Sequence, residues 1–220
     1  MKKDEKPILF TGKMVNAILE NKKFITRRLL KKQPPKSIDY FKYINQYRMC
    51  GMSVDVGYPL YDIKPIYWPD LKLWVRETWG ITMYSKEPGY EISVIYKADN
   101  WEKYYIDLNN EELYYRLVTR EIRYLTNTVQ KFSQIPPDKK ILWRSNMFLP
   151  RAASRILLNV IDVKIERLHE LDDTEAVLEG CKNREEYIQV WDNINKKSGF
   201  PWKDNPWVYR ISFVRINDVN

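Results

Sequence analysis

The chain has 220 residues, with 37 Lys and Arg against 29 Asp and Glu and a net charge of +8; this suffices for one well-cored domain, and the modest basic excess favours an anionic partner. Cys50 and Cys181 lie far apart and outside any CxxC pattern, which argues against a disulfide framework or structural zinc, and the single histidine, His169, reads as a turn residue in ERLHELDD, outside the defined constellations that Ser-His-Asp triads, HExxH sites and paired-histidine schemes need. There is no apolar run of about 18 residues and no signal-peptide core, so a cytoplasmic protein without a membrane partner is expected.

Pro7 to Phe10 reads as a short strand, and Thr11 or Gly12 opens a helix with Met14, Val15, Ala17 and Ile18 along one side. Asn21 suits a left-handed cap that ends it. Phe24 to Leu30 reads as a strand or extended segment, stopped by Gln33 to Ser37, and residues 33 to 70 form a long, Tyr-rich excursion with little periodicity. Leu71 to Trp79, LKLWVRETW, is the clearest strand, with Leu73, Val75 and Glu77 on one face and Trp74, Arg76 and Thr78 on the other. Ile92 to Tyr96 is a further strand. Asn109 to Leu125 reads as a helix with an Asn cap, early glutamates and apolar positions at Leu113, Leu117, Ile122 and Leu125.

After the loop Ile135 to Lys140, Ser154 to Leu168 reads as a long strand that must bulge or bend, because no single period-2 register keeps its apolar residues on one face. Asp172 or Asp173 caps a short helix ended by Gly180. Asn183 with Glu186 opens another helix that runs through Ile194, and Trp207 to Ile216 closes the chain as a strand. With no βαβ alternation and no Gly-rich phosphate loop, an α+β class fits better than a doubly wound fold: a small mixed or closed β-barrel with peripheral helices and an inserted helical segment. Nothing calls for a cofactor or a metal.

On these pieces the chain resembles the ASCH-domain family, whose fold is a PUA-like β-barrel related to RNA-binding and modified-base-reading modules. The resemblance rests on the helix followed by ENKKFITRR, the strand LWVRETW, the segment MFLPRAASRILLNVIDVKIERL, the helix DDTEAVLEG and the ending NPWVYRISF. It is closest in kind to the larger subgroup found in bacteriophages and prophages, and it implies one domain over residues 1–220 with elaborations near 33–68 and 99–142. Some small members are amidohydrolases that remove the acetyl group from N4-acetylcytidine with a lysine, a threonine three residues on and a distant glutamate. By resemblance these roles fall on Lys23, Thr26 and Glu179, with Glu175 as the substitute for the last. Asn21 stands where the family commonly has glycine, which leaves the turn intact because Asn tolerates left-handed backbone. Phe24 replaces a small or polar residue and would narrow or close a nucleoside pocket.

Amide hydrolysis needs a nucleophile or activated water, a proton donor for the departing amine and a stabiliser for the oxyanion. A lysine can serve as nucleophile or base only if its pKa falls from about 10.4 towards neutrality, through burial or nearby positive charge. Lys22, Arg27 and Arg28 would supply that charge, and Thr26 would orient the amine or be activated by it. Glu179, in the last turn of its helix, would be favoured as a protonated acid by the helix dipole. Lys23 and Thr26 would face opposite sides of a regular strand, so their convergence requires a turn or bulge within Asn21 to Phe24. For Glu77 and Arg76 the first reading is an intrabarrel or rim ion pair and the second is substrate contact. Each of these residues also has an ordinary reading: lysines after a helix complement its dipole, and Thr26, Arg28 and Glu179 taken singly are a strand hydroxyl and two surface charges.

A module that binds RNA or a modified nucleoside without catalysis fits the same sequence. Six basic and no acidic residues lie from Lys22 to Lys32, with Tyr and Trp interleaved along the chain, so phosphates could be held while a pocket stacks a base. A ribonuclease without histidine or metal is a weaker variant. A phage structural or host-interaction protein docking through the helix at Asn109 to Leu125 is a third class.

Overall fold

The computed structural model describes residues 4–45, 48–55, 59–85, 89–128 and 141–216. The predicted loop Ile135 to Lys140 lies outside the described residues, as do the side chains of Ile122 and Leu125. The chain is α+β. In order, its elements are β1 (Glu5–Leu9), α1 (Gly12–Leu19), β2 (Ile25–Leu29), β3 (Tyr40–Asn45), β4 (Arg48–Met52), β5 (Pro59–Ile63), β6 (Lys72–Arg76), β7 (Trp79–Ser85), β8 (Glu91–Tyr96), β9 (Glu102–Asp107), α2 (Glu111–Thr128), β10 (Leu157–Arg167), α3 (Asp173–Leu178), α4 (Arg184–Asn195) and β11 (Trp207–Ile216). One sheet has the strand order β1-β6-β10-β11-β2, and two three-stranded sheets have the orders β3-β4-β5 and β7-β8-β9. No helix among the described residues is long and apolar enough to cross a membrane.

The chain groups into two compact units, with unit boundaries inside β1, α1 and β6. Met1–Lys6, Ala17–Leu73 and Leu157–Asn220 form the first, and Pro7–Asn16 with Trp74–Ile156 form the second. The elaboration expected near 33–68 falls in the first unit and that near 99–142 in the second.

In the first unit, β10 and β11 pair antiparallel from Leu157 opposite Ile216 to Arg167 opposite Trp207. The register slips between Val160 and Asp162, leaving Ile161 exposed, and this is the bulge that the mixed apolar register demands. β11 then pairs with β2, which sets Arg210 opposite Arg27 and Ile211 opposite Thr26. The helices form where their caps predict: the Asp172 side chain accepts from Glu175 N at 2.7 Å, and Asn183 accepts from Glu186 N at 3.0 Å. Ala176, Tyr187 and Trp191 from these helices share a core with Leu168, Cys181 and Val208. The stretch read as an aperiodic excursion contains β3-β4-β5. Strand register there is set by cross-strand pairing, which leaves little trace in a Tyr-, Arg- and Asp-rich segment.

The second unit is a β7-β8-β9 meander that packs Trp79, Ile92 and Val94 against Leu117 and Val118 of α2. Asn110 rather than Asn109 caps α2, accepting from Leu113 N at 2.7 Å, while Asn109 takes positive φ just before it. β7 and β9 carry no clear alternation and are additions to the elements read from sequence. LKLWVRETW is also not one strand: β6 stops at Arg76 and β7 starts at Trp79. Between them Glu77 leaves the ladder to meet an arginine.

Candidate functional site

α1 ends at Leu19, and Asn21 at φ 54° turns the chain back so that the amides of Lys22 and Lys23 both donate to Ala17 O, at 2.8 and 3.1 Å. Asn pays little to adopt this conformation, so the turn expected at Asn21 is formed. The same turn docks on the end of α3, where Phe24 N donates to Leu178 O at 2.9 Å. Gly180, at φ +84°, ends α3 at that junction, and a Cβ there would lie 2.9 Å from Ala17 Cβ and 3.5 Å from Lys23 Cβ. Only glycine suits both the left-handed backbone and the close approach.

The result is a buried ionic centre. Lys23 is 2% exposed, and its Nζ donates to Glu179 Oε2 at 2.7 Å, Glu179 O at 2.6 Å and Ile25 O at 2.8 Å. The second oxygen of Glu179, Oε1, faces Arg27 Nη1 at 3.5 Å, beyond good hydrogen-bond length. Arg27 turns its Nε to Glu166 Oε1 at 2.9 Å and also pairs with Glu175, whose other oxygen accepts from Arg210 Nε at 2.7 Å. Arg27 and Arg210 are direct cross-strand neighbours, an arrangement that would repel without Glu166 and Glu175.

Burial and neighbouring charge compete in the titration of these groups. It pushes the Lys23 amine below its ordinary value; Glu179 opposes that shift and the charge of Arg28 adds to it. For Arg27, burial pulls the same way, but the carboxylates of Glu166 and Glu179 outweigh it and hold the guanidinium above its usual range. Burial raises the Glu166 carboxyl, against the pull of Arg27. Glu179 is the C-cap of a six-residue helix and meets two cations, so contact charges, rather than the helix end, dominate its surroundings.

The remaining expected site residues divide. Thr26 is buried on β2 opposite Ile211, and strand alternation sets it on the face of Arg28 rather than that of Arg27. Lys22 is exposed and pairs with Glu20 at 2.6 Å, so it is a surface charge and not part of the buried centre. Phe24 is 38% exposed at the turn. Arg76 and Glu77 belong to the second unit, and they are not paired with each other. Arg76 lies 4.5 Å from the Trp74 ring centroid. Glu77, 1% exposed, is bound through both oxygens by Arg155 at 2.9 Å each, and Arg155 also holds Asp99 at 2.8 and 2.9 Å. Arg155 further covers the Tyr96 ring at 4.3 Å. These partners lie far away in sequence, and the carboxylate in the apolar register of LKLWVRETW was the one local sign of them. His169 is a surface turn residue whose Nε2 lies 2.8 Å from Trp202 O.

A cleft of about 850 Å³ opens in the first unit, with Arg28 on its wall and Lys31, Lys32 and Lys64 at its rim. Arg28 lies directly across from Tyr209 in the β2-β11 ladder, and Tyr209 meets Tyr67 edge to face at 5.6 Å. Burial lowers the Arg28 guanidinium, with Tyr67 and Glu179 opposing, and raises the Tyr209 phenol to about 12. None of these tyrosines was singled out from sequence, since Tyr is abundant throughout. No group of His, Cys, Asp and Glu among the described residues could hold a metal ion. No protein-family model matches the chain, and neither a curated protein nor a solved structure is significantly similar to it.

Proposed function

We propose that the chain is an ASCH-type protein of PUA-like ancestry that acts on RNA or modified nucleosides in the host cytoplasm of a phage or prophage, and that its candidate reaction is removal of an N-acyl group from cytosine. The observation that carries this reading is the buried contact between Lys23 and Glu179, residues far apart in the chain whose pairing is what the family resemblance requires. In that reaction, deprotonated Lys23 takes a proton from water as it adds to the acetyl carbonyl, and a guanidinium of the cluster faces the oxyanion. Glu179 receives that proton from the Lys23 ammonium across their contact and passes it to N4 as the C–N bond breaks, giving cytidine and acetic acid, which leaves as acetate and a proton. Thr26, buried on β2, would orient the amine, the role the resemblance gives it.

A specific observation favours a second reading, in which the same protein binds RNA or a modified base without catalysis. Lys23 Nζ has three acceptors at hydrogen-bond distance, and its side chain is fully buried, as expected of a structural ion pair. Hydrolysis requires that contact to open. Incubation with N4-acetylcytidine and other acylated nucleosides, beside Lys23→Ala and Glu179→Ala, separates the two. Turnover lost in both variants supports the enzyme; absence of turnover by the parent protein under every condition, with RNA affinity that falls steeply with salt, leaves the binding module.

A further inference from the structure

The cleft of the first unit combines features that the Lys23 centre lacks. Its cations, Arg28, Lys31, Lys32 and Lys64, face one acid among the lining residues, Asp62. That acid is already committed: Arg48 Nε reaches both of its oxygens at 2.9 and 2.8 Å, and the Cys50 thiol donates to it at 3.3 Å. The cleft therefore presents an excess of positive charge. Lys31, Lys32 and Lys64 are exposed at the rim, where a solvated anion would arrive, whereas Arg28 is partly buried further in. The interior is aromatic and aliphatic, with Tyr67 and Tyr209 in edge-to-face contact and Tyr61 beneath Lys32 at 6.0 Å. A volume of about 850 Å³ is within the usual range for small-ligand clefts.

We propose that this cleft is a nucleotide site that takes the phosphorylated form of its ligand: the phosphate meets Lys31, Lys32 and Lys64 at the rim, and the base enters against Tyr67 and Tyr209 beside Arg28. An anion alone would use the rim and leave the aromatic interior empty, and an uncharged aromatic compound would leave the rim cations unused. A planar ring joined to a phosphate by a short linker uses both. The choice of a nucleobase among planar rings rests on the nucleoside and RNA reading above, but the demand for a phosphate does not.

Calorimetric titration of the full chain with cytidine 5′-monophosphate, cytidine and inorganic phosphate tests the proposal. The monophosphate should bind at least about tenfold more tightly than cytidine, as charge-assisted contacts to two or three cations warrant. Lys31→Ala with Lys32→Ala should remove most of that difference while leaving cytidine affinity unchanged, and Tyr67→Ala should weaken both ligands. Far-ultraviolet circular dichroism and thermal melting of each variant confirm that it is folded; the two lysines are exposed, so their replacement leaves the core intact. Equal affinity for cytidine and its monophosphate, phosphate alone competing as well as the nucleotide, or no binding by any of the three, overturns the proposal. N4-acetylcytidine turnover in the same preparations keeps the two readings apart. Turnover without a phosphate preference sinks the cleft assignment alone, and phosphate-dependent nucleotide binding without turnover sinks the hydrolase reading alone.

Discussion

Each unit buries a glutamate against cations, but the two clusters are built from different chemistry. In the second unit Glu77 gives both oxygens to Arg155, which uses its remaining donors on Asp99 and lies over the Tyr96 ring. Arg155 cannot give up its proton near neutral pH, and its carboxylate partners outweigh the opposing effect of burial and fix its charge further. In the first unit Glu179 meets a lysine, and burial moves that amine towards deprotonation. A guanidinium with four carboxylate contacts is a structural clamp. A buried amine beside a carboxylate, with its pKa lowered by burial, is a group whose proton can move, and the proposed reaction uses it.

The largest effect should come from breaking the clamp. Arg155→Ala leaves Glu77 buried without its partner, and urea unfolding should show a loss of about 3–5 kcal/mol. Adding Glu77→Gln should recover part of it. Lys23→Met should cost less, about 2–3 kcal/mol, because Glu179 retains Arg27 as a second cation. If the two losses came in the reverse order, the clamp and the centre would have been assigned the wrong way round. Gly180→Ala should cost about 1–3 kcal/mol by the same measurement, because alanine at φ +84° is strained and its Cβ would press on Ala17 at the junction that positions Lys23.

Stability against pH sharpens the contrast. Lys23 holds its proton less tightly folded than unfolded, so between its lowered value and 10.5 the unfolded chain binds more protons. Stability from this group therefore rises with pH across that window, and Lys23→Met should flatten the rise. Glu77 runs the other way: burial raises its carboxyl, so its favourable contribution is present below 4.5 and is lost as pH climbs through the raised value. Glu77→Gln should remove that decline. The smallest effect is expected from Lys22→Ala, within about 0.5 kcal/mol, since Lys22 pairs with Glu20 in solvent.

The sequence was most readable where structure is set by nearby residues. Asn21 reads as a left-handed cap, Asp172 and Asn183 as N-caps, Gly180 as a helix end, and the Ser154 to Leu168 stretch as needing a bulge; each of these signals is resolved within a few residues of chain. Lys23 and Glu179 were legible only because the two segments that carry them were recognised together. The exposure of Phe24 was not legible, because sequence spacing gives no side-chain direction until the strand start at Ile25 is known. The partner of Glu77 was unreadable because Arg155 is one of many charged residues and the choice among them is made by packing. β3, β4 and β5 were missed because cross-strand pairing, which sets them, is spread over a segment with no apolar period.

The state of one proton tests the account most directly. Lysine side chains labelled with nitrogen-15 can be followed by NMR across the alkaline range, with the Lys23 signal identified by its loss in Lys23→Met. A midpoint for Lys23 clearly below the ordinary lysine value, moving upward when Arg28→Met removes the neighbouring charge, is the predicted result. A midpoint at or above the ordinary value would mean that Glu179 outweighs burial, and would make the first cluster a structural clamp like the second.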